Sequence, residues 1–251
     1  TGDLVVKLAC PLYLGTPPDA ERRVLAHLAG FPCPKLVAHG ELEGWPYLVE
    51  TVLPGIPAAE LWDSLAPTER APIVRQLGAL ICRLHEQPPL ADLAVDWPAF
   101  RAQRIANALE HHHATGAWAA WLAGRLAAFH ETPAPPVLLH ADVTADHVLL
   151  ERTGSRWKVT GIIDFCDAMM GHPHYDLVAP LVCFAAGNGE LADVLVEAAG
   201  ERPTAALREE LLTGCFLHRF AKLGDITARV GADDPDDFER AFWGFSERKE
   251  P

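Results

Sequence analysis

The stretch Val137–Asp176 restricts what this chain can fold into more than any other. Two short apolar runs, Val137–Leu139 and Val148–Leu150, flank a polar loop holding His140, Asp142, Asp146 and His147. A third run, Val159–Ile163, stops at Asp164. Short apolar runs bounded by polar turns read as buried strands. Strand–loop–strand followed by strand–Asp therefore presents Asp142 and Asp164 at strand ends, where two carboxylates can converge. One positioned carboxylate can take a proton from a hydroxyl, and a second can hold a divalent metal ion. Both are parts that phosphoryl transfer needs.

The pattern is His140-Ala141-Asp142, then His147, then Ile162-Ile163-Asp164-Phe165. It resembles the protein-kinase-like phosphotransferases that act on small molecules, the aminoglycoside phosphotransferase and choline kinase group. Gly171-His172-Pro173-His174-Tyr175-Asp176-Leu177 is similar to that group's Gly-Asp-Pro-x-x-Asp-Leu segment. The aromatic segments near residues 216 and 242, with the acidic turn between them, resemble the C-terminal part of hygromycin-type antibiotic kinases. Two departures stand out: His147 replaces the family's usual Asn, and His172 its usual Asp.

The resemblance implies an α+β, two-lobed protein-kinase-like fold. Residues 1–53 would form a truncated, antiparallel-sheet N-terminal lobe that binds nucleotide. Residues 54–251 would form a mostly helical C-terminal lobe with the catalytic loop and acceptor site. ATP or GTP would be the donor, with Mg²⁺ or Mn²⁺. Asp142 would be the catalytic group, Asp164 and His147 the metal ligands, and His140 a brace for the loop. Lys7 would contact the α- and β-phosphates and pair with Glu21. Glu50, Thr51 and Val52, just before the Pro54–Pro57 break, would meet the adenine through main chain. The family's phosphate-covering hairpin does not precede Lys7, so the sequence is expected to be a piece of a longer chain.

Elsewhere the periodicity predicts a strand over Asp3–Leu8, a helix over Asp19–Leu28, and an antiparallel pair, Lys35–Ala38 with Tyr47–Val52. Helices follow at Pro67–His85, Trp97–His113, Ala117–Phe129, Leu177–Ala186 and Leu191–Ala199. One long helix is expected over Thr204–Leu223, then the acidic turn Asp233–Asp237 and a closing segment Phe238–Phe245. Asp176, just ahead of an apolar helix, reads as its N-cap and hence as structural support. Three consecutive histidines, His111–His113, point to different helix faces and read as a solvated helix end. His172 and His174 read as loop polarity, and His85 as a core histidine.

A net charge of -13 argues against nucleic acid or an anionic membrane surface as partner. It suits a small cationic hydroxyl acceptor, an aminoglycoside in the resembled family, with Asp225 as a substrate contact. Asp233–Asp237 reads equally as substrate contact and as solvated surface. Six scattered cysteines without metal spacing read as reduced thiols of a cytoplasmic protein, monomer or homodimer. No apolar run reaches the ~18–20 residues of a membrane span. Other readings stay open: a catalytically impaired binding protein on the same fold, a hydrolase or metal-binding protein using the His/Asp cluster, or a kinase for a choline-, homoserine- or sugar-like metabolite.

Overall fold

The computed structural model describes residues 3–9 and 19–244. Its N-terminal layer holds β1 (Leu4–Leu8), α1 (Asp19–His27), β2 (Leu36–Leu42) and β3 (Trp45–Thr51). The strand order is β1-β3-β2, antiparallel throughout, with Lys7 opposite Leu48. The hairpin turns at Glu43-Gly44, where φ is 52° and 83°. Two consecutive positive φ values give the turn twist that matches paired strands. β2 extends beyond the expected Ala38 because Gly40 leaves room for the Tyr47 ring to lie across it. Leu48 on β3 joins Val24 and Leu25 of α1 in the core.

The rest of the chain runs β4 (Ile56–Pro57), α2 (Ala58–Leu61), α3 (Pro67–His85), α4 (Trp97–His111), α5 (Gly116–Ala128), β5 (Val137–Leu139), β6 (Val148–Thr153), β7 (Arg156–Ile162) and β8 (Met169–Gly171). Then come α6 (Tyr175–Pro180), α7 (Gly189–Ala198), α8 (Ala205–Cys215), α9 (Leu223–Val230) and α10 (Pro235–Trp243). β4, β6 and β7 form one small antiparallel sheet, and β5 pairs with β8. α3 is the axis of the core. Ile73, Leu77, Leu80, Ile81 and Leu84 are all buried at helical spacing. Each such side chain contributes about 1.5–3 kcal/mol by leaving water. The amide of Ile162 donates to Pro32 O at 3.1 Å and ties the end of β7 to the N-terminal layer. A side chain at Gly161 would run into that same carbonyl.

The predicted long helix Thr204–Leu223 is not continuous. α8 ends at Cys215, and the chain turns before α9 begins at Leu223. Side chains of α4 and of His112, just past its end, take the carbonyls that a longer helix would use. His112 Nε2 donates to Phe216 O at 2.7 Å, and Arg104 donates to Leu217 O at 3.0 Å and His218 O at 3.3 Å. His111 Nε2 likewise donates to Ala221 O at 2.9 Å. His111 and His112 are therefore clamps on residues 216–223, not a solvated helix end. Burial pushes the His112 imidazole down to about 4, so it clamps in its neutral form. The closing helix starts at Pro235, within the predicted acidic turn, where Asp234 accepts from Asp236 N. Residue 245 lies outside the described residues. Among the described residues, no helix is long and apolar enough to cross a membrane.

Candidate active site

The loop after β5 carries Asp142, and the fold grips that loop by its main chain. The Asp176 carboxylate accepts from His140 N at 2.9 Å, Ala141 N at 2.7 Å and His85 Nε2 at 3.0 Å. On the other side, His218 Nε2 donates to Ala141 O at 3.0 Å. These bonds hold Ala141 at φ 66°, a left-handed conformation that L residues rarely adopt. Asp176 is not the predicted helix cap. It lies within the first turn of α6, His174 occupies the cap position without a side-chain bond, and the Asp176 carboxylate faces the loop that carries Asp142. Burial would raise the Asp176 carboxyl, but the His85 hydrogen bond, the nearby imidazoles and the Ala141 N–H hold it below the usual range. His140, fully buried, donates from Nε2 to Ile163 O at 2.9 Å and accepts from Asp142 N at 3.2 Å. These bonds tie the loop to the strand end that leads to Asp164.

Asp164 also sits at a positive φ, 68°. Lys7 Nζ lies 3.7 Å from it, 2.6 Å from Glu21 Oε1 and 3.4 Å from Glu50 Oε1. Glu21 is buried and does more than pair with Lys7. It accepts from Phe165 N at 3.1 Å and from the Cys166 thiol at 3.2 Å, holding the turn that presents Asp164. Burial works against the Lys7 charge, yet the three carboxylates outweigh it and raise its pKa above the ordinary lysine value. Burial likewise opposes the Asp164 carboxylate, but Lys7, Cys166 and His147 bring it below the usual range. The Glu50 carboxyl is pushed up, chiefly by burial.

Two residues expected at a hinge sit differently. Glu50 is engaged through its side chain beneath Lys7, while its backbone pairs with Val5 and Leu36. The Val52 N–H is already taken by Asp3 O at 3.3 Å.

His147 stands between the two carboxylates. Its Nδ1 is 2.8 Å from Asp142 O and 3.4 Å from Asp142 Oδ2, and its Nε2 is 3.6 Å from Asp164 Oδ2. An Nδ1–H donating to a backbone carbonyl leaves Nε2 as a lone-pair donor, the arrangement common in metal-ligating histidines. Asp142 Oδ1 and Asp164 Oδ1 are both buried without a hydrogen-bond partner. Oxygen donors suit Mg²⁺, and an imidazole nitrogen extends tolerance to Mn²⁺. The donor set therefore fits a divalent ion. Burial pushes the Asp142 carboxyl up to about 6; Asp167 and Asp164 add to this, while His147 and Arg219 oppose it.

A cavity of about 690 Å³ opens from Asp142. Asp225, exposed on α9, lines it, whereas Asp233, Asp234, Asp236 and Asp237 are exposed and do not. Sequence reasoning missed Arg219, which donates to Asp167 O at 2.7 Å and pairs with its carboxylate at 3.0 Å near Asp142. His172 and His174 are buried, not loop polarity. His174 Nδ1 meets Glu210 Oε1 at 2.5 Å, His172 Nε2 donates to Thr132 O at 2.6 Å, and Glu210 Oε2 accepts from Thr132 at 2.7 Å and 3.0 Å. Together they brace the segment that leads to Asp176.

Comparison with known proteins adds an independent line. The family model described as Phosphotransferase enzyme family matches residues 1–211. An aminoglycoside 3'-phosphotransferase of Streptomyces fradiae is 29% identical over 168 residues, 63% of this chain. That match spans 61% of the relative's own length. Among solved structures, the GDP complex of wild-type aminoglycoside 2'-phosphotransferase-IIIa superposes with a TM-score of 0.68 at 18% identity, covering 87% of this chain and 79% of that one. The GDP and kanamycin complex of APH(2'')-IIIa gives 0.66 at 20% identity, covering 80% and 71%. At these identities the likeness to the solved structures is one of fold, the protein-kinase-like architecture.

Proposed function

This chain belongs to the phosphotransferase enzyme family, and from that membership we propose that it transfers the terminal phosphoryl group of ATP or GTP to a hydroxyl of a small cationic molecule. The observation that carries this reading is the convergence of Asp142, Asp164, His147 and Lys7 beside a cavity large enough for a multi-ring acceptor. GDP in both solved relatives makes GTP as natural a donor as ATP.

The chain's residues divide the work. Asp142 accepts a hydrogen bond from the acceptor hydroxyl and takes its proton as the oxygen bonds to the γ-phosphorus. The bond from that phosphorus to the β–γ bridging oxygen breaks, and the nucleoside diphosphate leaves. Asp164 and His147 would hold a divalent ion, Mg²⁺ or Mn²⁺, which would supply charge neutralisation for the phosphates. Lys7, fixed by Glu21 and Glu50, meets the α- and β-phosphates. The Val52 carbonyl remains a main-chain candidate for the base. His140 and Asp176 position the loop without touching substrate. Little covalent chemistry is asked of the protein, so positioning and charge neutralisation carry the rate.

The aminoglycosides named for its relatives are the starting panel of acceptors, with Asp225 as the contact for an ammonium group. Five described cysteines are unpaired thiols, in keeping with a cytoplasmic setting. The test is nucleoside diphosphate release with ATP or GTP across a panel of hydroxylated amines, with the product's phosphorus identified by NMR as a phosphate monoester. Turnover of an acceptor without nucleotide would refute the reading, as would nucleotide binding with no acceptor modified.

A further inference from the structure

Away from Asp142 and Asp164, a second group of metal-ligating side chains converges in the interior. His172 and His174 stand on either side of Pro173, ahead of α6, and Glu210 reaches them from α8. All three are buried. One donor atom from each lies within 4.8 Å of the other two. Sequence spacing offers only the two histidines. Glu210, 36 residues after His174, is brought to them by the packing of α8 against α6.

Each of the three already has its outer atom held. His172 donates from Nε2 to Thr132 O at 2.6 Å, so its Nδ1 keeps a lone pair. That nitrogen accepts only a long bond, 3.3 Å from His174 N, among the described residues. His174 turns Nδ1 to Glu210 Oε1 at 2.5 Å and Nε2 toward Glu201 at 3.6 Å. Glu210 Oε2 accepts from the Thr132 amide at 3.0 Å and from its hydroxyl at 2.7 Å. A carbonyl or carboxylate behind each imidazole, and hydrogen-bond donors behind a carboxylate, are the outer contacts that orient metal ligands. A proton shared by His174 and Glu210 would satisfy that pair but leave His172 Nδ1 as it is. A cavity of about 30 Å³ adjoins His174 and Glu210, room for one water. Arg101 and Arg104 also line it, the first paired with Glu131 at 2.7 Å and the second bonded to the carbonyls of Leu217 and His218.

We propose that His172, His174 and Glu210 bind one Zn²⁺, with a water in the adjoining cavity as fourth ligand. Two imidazole nitrogens and a carboxylate oxygen are a donor set that zinc takes in tetrahedral geometry; Mg²⁺ and Ca²⁺ prefer oxygen alone. Tetrahedral donors around zinc stand about 3.3 Å apart, so His174 and Glu210 part slightly and His172 closes in by no more than about 1.5 Å. Glu210 and Glu201 bring two negative charges to imidazoles that are neutral when they ligate, which balances the charge of the ion. The ion ties α8 to the turn before α6, two residues ahead of Asp176, whose carboxylate holds the amides of His140 and Ala141. Its task is structural. It staples the support of the loop that carries Asp142, whichever nucleotide and acceptor the protein uses.

The experiment uses the full chain, stripped of metal with a chelator and returned to chelator-free buffer with excess Mg²⁺, which occupies oxygen sites and leaves nitrogen donors open. Zn²⁺ affinity is read by competition with a chromophoric chelator, and Co²⁺ serves as the spectroscopic probe. The wild type is expected to take up one tight equivalent of Zn²⁺, with a rise in Tm. With Co²⁺ it should show the strong visible bands of a tetrahedral site, and X-ray absorption of the zinc-loaded protein should show two imidazoles. Glu210→Gln and His174→Gln should each weaken Zn²⁺ binding by about a hundredfold or more, and Thr132→Val, which removes only the hydroxyl behind Glu210, by about tenfold. Asp164→Asn should leave the Zn²⁺ affinity and the Co²⁺ bands unchanged. Absence of a tight equivalent on the wild type overturns the proposal, as do weak octahedral Co²⁺ bands, or a site lost in Asp164→Asn and kept in Glu210→Gln. Should a Glu210 or His174 variant fail to fold, the wild-type stoichiometry and absorption spectra decide by themselves.

Discussion

Asp142→Asn should make the fold more stable while it cuts turnover sharply. Burial, with Asp167 and Asp164 nearby, moves this carboxyl from 3.8 up to about 6, and its Oδ1 has no hydrogen-bond partner. The folded state thus binds the proton more tightly than the unfolded chain does. By linkage, stability falls as pH rises from about 4 to 6, and the full cost is present above about 6. Moving a carboxyl from 3.8 to about 6 corresponds to about 3 kcal/mol, and solvent at the cavity mouth reduces this to about 1–3 kcal/mol. Asparagine keeps the shape of the protonated form and carries no charge. For a chain of this size the gain is about 3–10 °C in Tm.

The assay is urea unfolding of both proteins between pH 4 and pH 8. At pH 4 the two curves should coincide, because the wild-type carboxyl is protonated in the fold. At pH 7.5 the asparagine variant should be the more stable. Its turnover should fall by about 10²–10⁴-fold, the usual weight of a positioned base. Wild-type turnover should rise with pH through about 6 as Asp142 ionises. Equal or lower stability of the variant at pH 7.5, or a gain as large at pH 4, would refute the reasoning.

Asp176→Asn should act in the opposite sense. Its buried carboxylate holds two backbone amides and His85, so the change should cost about 3–5 kcal/mol in unfolding experiments. Since that carboxyl is held below the usual range, the wild-type contribution is present above about pH 4 and is lost as pH falls further, which acid titration of stability would show. Asp164→Asn should weaken nucleotide binding more with Mg²⁺ present than without it, read by calorimetry. His147→Asn should lower Mn²⁺ affinity relative to Mg²⁺, and should remove any nitrogen coupling to bound Mn²⁺ seen by electron spin echo spectroscopy.

What could be read from the sequence was whatever local pattern encodes. Strand ends placed Asp142 and Asp164, and 3.6-residue spacing gave α3 its full span, Pro67–His85. Lys7 and Glu21 came only through resemblance, since nothing local links residues on separate elements. What stayed hidden depends on partners far along the chain. Asp176 resembled a helix cap because its neighbours are helical, and its true partners lie 35 and 36 residues earlier. His111 and His112 resembled a solvated end because their acceptors lie 110 and 104 residues later. The same bonds broke a helix that composition alone would have continued past Cys215. Glu50 seemed a hinge residue because strand alternation does not reveal which charge waits on the buried side.

The site is held by two clamps of the same design. Glu21, from α1, takes the amide of Phe165 and the thiol of Cys166 beside Asp164. Asp176, from α6, takes the amides of His140 and Ala141 beside Asp142. In both cases a buried carboxylate grips groups flanking Asp142 or Asp164, and one oxygen, Oδ1, of each of those two carboxylates is left without a hydrogen-bond partner. This explains how Asp142 and Asp164 can each keep a buried oxygen with no hydrogen-bond partner. Such oxygens would be costly defects in an ordinary core. The left-handed backbone at Ala141 and Asp164 adds strain of order 1–3 kcal/mol apiece, tolerated only because the clamps over-determine it. Restraint through the surroundings fixes the direction of each carboxylate without using up its charge. Carboxylates kept in this way remain available to a hydroxyl and to a metal ion.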